Sequence, residues 1–158
     1  MKKIVGFDNE FNSLLKLLKN NNLASSVLLT GNKGIGKSFF LIQLIEKYLK
    51  IEINNDQIDH HLSLLYSKSH PNIRYIKKEI DEKTKKLKNY ITVDQIRKLN
   101  QFSLETSLFE NIPKFILVDS ADDLNINASN SLLKSLEEPK KNTYFFYYLI
   151  IHLHYCPQ

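Results

Sequence analysis

The stretch Gly31-Asn32-Lys33-Gly34-Ile35-Gly36-Lys37-Ser38 fits the pattern G-x-x-x-x-G-K-[ST] at every position. The chemistry such a stretch supports is phosphate binding. Phosphate oxygens need several N–H donors converging on one spot, and glycines let the backbone curl into that cup without Cβ clashes. A helix that follows aims its partly positive end at the same place. Lys37 would bring a full charge to the β- and γ-phosphates, and the Ser38 hydroxyl would complete a Mg²⁺ shell. The competing explanation is a glycine-rich turn that matches by accident. Against it, three of the chain's four glycines fall inside the stretch, with an apolar run before it and an amphipathic run after it.

A phosphate loop of this kind uses a carboxylate at the end of a neighbouring strand to hold Mg²⁺. Asp119, directly after the apolar run Phe115-Ile116-Leu117-Val118, supplies one. An aspartate after a strand is often only a turn or a cap, but together with the upstream loop it is read here as the second metal-side group. The residue beside it is Ser120, where a hydrolysing enzyme of the oligomeric ATPase class carries a glutamate to polarise water. Serine has no carboxylate to accept a proton at neutral pH. Asp122 and Asp123 fall in the next turn. The expectation is ATP and Mg²⁺ binding with little or no hydrolysis and no catalytic residue.

The elements that must position these groups follow from periodicity. Phe11, Leu14, Leu15 and Leu18 recur at helical spacing over 8–22, with Asp8 suited to the N-cap and three asparagines, Asn20–Asn22, to end it. Ser26–Thr30 is long enough for one buried strand, and Phe39–Leu49 reads as a helix packed on a sheet. Gln57–Tyr66 reads as a helix, Ser69–Asn72 as a turn because the residue before proline avoids helical geometry, and Ile73–Ile76 as a strand. Thr92 and Gln95 have capping-box spacing and open a helix with Val93, Ile96, Leu99 and Phe102 inward, Leu108 extending that face. A helix starting at Asn127 or Asn130 runs through Leu132, Leu133 and Leu136, and Tyr144–Ile151 reads as an aromatic-rich strand. Continuous apolar strands alternating with helices give an α/β fold with a mostly parallel sheet covered on both faces.

The bulk composition fits this. The chain has 158 residues, enough for one domain, with 42% hydrophobic and 25% charged residues. The net charge of +5 permits nucleic-acid contact without requiring it. The polar run Lys77–Lys88 is read as a solvated face or loop in preference to a DNA contact. One cysteine, Cys156, allows neither an internal disulfide nor a cysteine zinc site. The N-terminus is not a signal peptide, and the longest apolar run is too short to span a bilayer, so a cytoplasmic protein is expected.

Several of these segments, in order, resemble the delta-prime subunit family of the bacterial DNA polymerase III clamp loader. They are Ile4-Val5-Gly6 with the first helix, Leu23–Ser38, Ser69-His70-Pro71-Asn72, Ile91-Thr92-Val93-Asp94-Gln95-Ile96-Arg97, and Asp119–Asp122 leading into Asn130-Ser131-Leu132-Leu133-Lys134-Ser135-Leu136-Glu137-Glu138-Pro139. The last is the most specific. The resemblance implies a P-loop NTPase (AAA+) three-layer core. It implies a component of the DNA polymerase III holoenzyme without intrinsic catalysis. Such a subunit works in a ring with delta and tau/gamma subunits that loads the sliding clamp onto primed DNA.

Departures from the family are also visible. Residues 50–69 lack the four cysteines that hold zinc in the family, so zinc is not expected, and the adjacent His60 and His61 are read as surface helix residues. From Tyr147 onward the polar sensor and the Ser-Arg-Cys motif are absent, and neither Arg74 nor Arg97 occupies the motif position of a trans-acting arginine. The chain is therefore read as a partial AAA+ core over 1–146 with a divergent tail over 147–158, lacking lid and collar domains. That pattern suggests a truncated or frameshifted product, with an open edge on the strand of Val27–Leu29 and marginal stability. A non-functional remnant and an independent small P-loop kinase or ATPase are the alternatives. The kinase would need arginines around the transferring phosphate.

Overall fold

The strands and helices alternate along the chain: α1 (Asp8–Lys19), β1 (Ser26–Gly31), α2 (Lys37–Glu52), α3 (Asn55–Tyr66), β2 (Ile73–Ile76), α4 (Val93–Leu104), β3 (Lys114–Val118), α5 (Ile126–Glu137) and β4 (Thr143–Ile150). This computed structural model describes residues 6–137 and 140–150. Ile4, Val5, Glu138, Pro139 and residues 151–158, with Cys156, lie outside the described residues.

The four strands form one parallel sheet in the order β1-β4-β3-β2. The α/β expectation holds, and its physical basis is plain in β3, which is buried at every position and so reads as a continuous apolar run. Side-chain alternation splits the sheet into two faces. Phe115, Leu117, Tyr144, Phe146 and Tyr148 pack with α1, α2 and α3, while Ile116, Val118, Phe145 and Tyr147 pack with α4 and α5. This is a helix–sheet–helix sandwich with two separate cores. β1 lies at one edge, pairing with β4 alone among the described strands, and Leu28 on its outer face is 55% exposed.

One helix start formed as the sequence predicts, and three positions shifted. Gln95 accepts a hydrogen bond from the Thr92 amide at 3.1 Å, so the capping box opens α4 as expected. Asp8 is the first residue of α1, within its N-terminal field, and Phe7 occupies the cap. Asn125 caps α5, its side-chain oxygen taking the Ala128 amide at 2.8 Å, so the helix begins before Asn127. α4 ends at Leu104, which leaves Leu108 79% exposed in the following loop. Lys77–Lys88 forms no helix; Ile80 and Leu87 face each other across a short antiparallel bridge.

His61 corrects the sequence reading. It is buried, and its Nδ1 lies 3.1 Å from His70 Nε2. His70, buried in the turn before β2, accepts the Asn72 amide at its Nδ1 at 3.1 Å. That acceptor role assigns the neutral ring's proton to Nε2, which donates to His61. Asn72 then fixes the turn to the approach of β3, donating to the carbonyls of Phe109 and Ile112 at 2.9 and 2.7 Å.

Burial, reinforced by His61 and His60, holds the His70 pKa down at about 4, against an ordinary 6.5. The unfolded chain therefore takes up a proton that the folded chain refuses as pH falls below 6.5. Stability is complete above that pH and declines toward pH 4, by on the order of 3 kcal/mol from this group. Urea denaturation midpoints measured between pH 7.5 and 4 should fall across this window, and His70→Gln should flatten the fall. An unchanged slope in that variant would remove His70 as its source.

Candidate functional site

β1 delivers the chain to Gly31 at the carboxyl edge of the sheet, and the loop returns it into α2 at Lys37. The turn depends on backbone conformations that side chains resist. Gly34 and Gly36 have φ of +82° and +96°, yet a Cβ at either would meet nothing within 4 Å. The glycines are needed here for their conformational freedom and not for space. α2 is held in place by Phe40, Leu41, Leu44, Ile45 and Leu49, all buried against the sheet.

The start of α2 is prepared for an anion. Gly36 is its N-cap, no side chain caps its first amides, and no acidic residue lies in its first turn. By contrast, α1, α3 and α4 each carry an acid there. An uncapped helix start without acids keeps its positive field available. The Lys37 ammonium sits inside the loop, donating to the carbonyls of Gly31 and Asn32 at 2.8 and 2.9 Å. Asn32, Lys33 and Ile35 are exposed around it, as is Ser38.

Asp119 stands across from this loop. Its amide continues the β-ladder, donating to Ile76 O at 2.8 Å, and strand alternation puts it on the face of Phe115 and Leu117, the face α2 covers. β4 is the one strand between β1 and β3, so the two carboxyl ends stand roughly 10 Å apart, about two inter-strand spacings. Asp119 is exposed there. The residue types, the curled backbone and this separation are compatible with a nucleotide phosphate between the loop and Asp119.

The acids following Asp119 already have partners, Asp122 at the end of β4 beside Gly31. The Asp122 carboxylate accepts the Ile150 amide at 2.8 Å, and Asp123 pairs with Lys78 at 3.0 Å. Ser120 turns the chain away at φ +62°, opening a one-turn 3-10 helix over Ala121–Asp123. Both arginines are also engaged away from the loop. The Arg74 guanidinium lies 4.4 Å from the Phe102 ring centre, on the α4 face, and Arg97 pairs with Asp94 at 3.2 Å. No cluster of three or more histidine, cysteine, aspartate or glutamate side chains suited to a metal occurs among the described residues.

Two groups escaped the sequence reading because an aromatic strand residue is ordinarily core. The hydroxyls of Tyr75 on β2 and Tyr148 on β4 are buried without a hydrogen-bond partner. Burial pushes the Tyr148 phenol far above its ordinary value, with Ser38 drawing it down and Asp119 and Tyr75 pushing it up. Tyr148 thus lies beneath the site, near both Ser38 and Asp119. Only its place one residue past Tyr147, the partner of Val118, could have given this away.

The loop's geometry makes a direct prediction. Gly36→Ala forces a side chain into a left-handed backbone at the helix start and should lower stability by about 1–2 kcal/mol. Chemical denaturation of the two proteins measures the difference, and equal stabilities would show that the loop does not hold this conformation.

Comparisons with known proteins bear on the family and the fold. A family model described as DNA polymerase III, delta subunit matches residues 7–150. The DNA polymerase III subunit delta' of Haemophilus influenzae is 30% identical over 122 residues, 76% of this chain and 35% of that protein. Its counterpart in Pseudomonas aeruginosa is 39% identical over 80 residues, 51% of this chain and 22% of that protein. The Bacillus subtilis one is 29% identical over 136 residues, 82% and 39% of the respective lengths. The chain thus spans between 22% and 39% of the length of these relatives. A DNA polymerase III gamma subunit-related protein from Thermotoga maritima shares the fold, with a TM-score of 0.57 at 18% identity, covering 87% of this chain and 39% of that one. No helix among the described residues is long and apolar enough to cross a membrane.

Proposed function

The chain belongs to the DNA polymerase III, delta subunit family, and from that premise we propose that it is a delta-prime-like clamp-loader component that binds Mg²⁺·ATP without turning it over. Its partners in this reading are delta and tau/gamma subunits, and through them the sliding clamp and primed DNA. The observation that carries the nucleotide part is the convergence of the 31–38 loop and Asp119 on one face of the sheet edge.

On this reading Lys37 exchanges the carbonyls of Gly31 and Asn32 for phosphate oxygens, keeping its charge satisfied in both states. The loop amides and the α2 start orient the phosphates. Ser38 and Asp119 would hold Mg²⁺, which supplies charge neutralisation when bound. The lack of turnover rests on Ser120, which offers no carboxylate beside Asp119 to take a proton. Nucleotide then acts by setting the shape of the edge that meets another subunit. A kinase reading loses its support with both arginines engaged far from the loop.

Titration with a fluorescent ATP analogue in Mg²⁺ tests the site. Saturable binding should weaken about 10- to 100-fold in Lys37→Ala, the loss of one charge-assisted contact. Phosphate release should stay at background in both proteins; Lys37-dependent turnover would overturn the non-hydrolysing assignment. Mixing the chain with purified delta and tau/gamma subunits should give a co-eluting complex on size exclusion, and separate elution would overturn the assembly role.

A further inference from the structure

The hydroxyl of Tyr148 is one of three buried tyrosine hydroxyls, with those of Tyr75 and Tyr147, left without a fixed hydrogen bond among the described residues, and it alone stands at the loop. Its residue is 2% exposed, and its oxygen is buried without a partner. Buried hydroxyls are ordinarily hydrogen-bonded, so an orphan calls for a physical reason. A core position in β4 would be served as well by phenylalanine, as at Phe146 on the same face. The oxygen is therefore the feature to explain.

Its location supplies the explanation. β4 separates β1 from β3, and Tyr148 pairs in register with Leu29, two residues before Gly31. On the other side, Tyr147 pairs with Val118, so Tyr148 stands beside Asp119. The side chain lies on the α2 face and forms the floor between the loop and the carboxylate. The Ser38 side chain and the Asp119 charge both act on the phenol from there, after the larger effect of burial.

We propose that Tyr148 is a positioning residue for the metal side of the phosphate-loop site, its hydroxyl accepting the Ser38 proton and donating to Asp119. The idea rests on the nucleotide reading above. A serine hydroxyl has one proton and two lone pairs. When a lone pair of Ser38 faces a cation, its proton must point away, toward the floor where the Tyr148 oxygen sits. A phenol that accepts from Ser38 still has its own proton to give, and the nearby carboxylate of Asp119 is an acceptor on both oxygens. One neutral phenol thereby orients both metal-side groups, with Ser38 already close enough to act on it and the Asp119 charge on its other side. Tyr75, whose hydroxyl is also buried and unpartnered, stands two strands away on β2, on the side away from β1.

Tyr148→Phe deletes one oxygen and preserves shape, which makes it the test. Binding of the fluorescent ATP analogue is measured in Mg²⁺ and in EDTA, alongside thermal melting without nucleotide. The expected result is about tenfold weaker binding in Mg²⁺, unchanged binding in EDTA, and a melting temperature equal to or above that of the wild-type chain. A merely structural tyrosine would lower the melting temperature and weaken both titrations alike, and that outcome overturns the proposal. Equal Mg²⁺-dependent affinity in the two proteins overturns it as well, while Lys37-dependent binding by the wild-type chain would leave the nucleotide reading standing. Absence of Mg²⁺-dependent binding by the wild-type chain sinks the nucleotide reading itself, and this inference with it.

Discussion

Everything at the site depends on β4 pairing in parallel between β1 and β3. Parallel strands send all their carboxyl ends to one edge, so the loop after β1 and the acid after β3 emerge together although 88 residues separate Gly31 from Asp119. Loops at the carboxyl edge of an open parallel sheet are where such folds bind ligands. The pairing is enforced by burial: Tyr144, Phe146 and Tyr148 are buried on one face of β4 and Phe145 and Tyr147 on the other. A one-residue slip would exchange these faces and turn Asp119 away from Tyr148.

The charges at the edge are arranged with the same economy. α2 alone among the helices of its face begins without an acid in its first turn, so its field is left for a ligand. Lys37 is stored on two carbonyls of its own loop, where its charge is satisfied but not neutralised by an anion. The acids downstream of Asp119 are tied into the turn that carries the chain from β3 to α5. The edge therefore gathers the loop amides, Lys37 and the Asp119 carboxylate on one side of the sheet.

Much of this was legible in the sequence because it rests on local signals. Glycine spacing gives the loop, continuous apolar runs give β1, β3 and β4, and an aspartate at the end of Val118 gives the carboxylate. What stayed hidden depends on contacts remote in sequence. His61 looks like a surface residue beside His60 until the turn nine positions later brings His70 against it. Lys114 reads as one more lysine, yet it is buried and donates to the carbonyls of Phe102 and Glu105 at the end of α4. Tyr148 reads as core because its ring is core; only the register of three strands places it between the end of β1 and Asp119. Cap positions slipped by one residue at Asp8, where Phe7 takes the cap, and by two at Asn127, where Asn125 takes it.

The central claim is that the loop and Asp119 form one metal-dependent site across β4. A double-mutant cycle on Mg²⁺·nucleotide affinity with Ser38→Ala and Asp119→Asn addresses it most directly. If both side chains serve the same cation, each single change weakens binding and the second adds little once the first is made. Strictly additive losses, or an Asp119→Asn protein that binds as tightly as the unaltered chain, would mean that the carboxylate and the loop work separately.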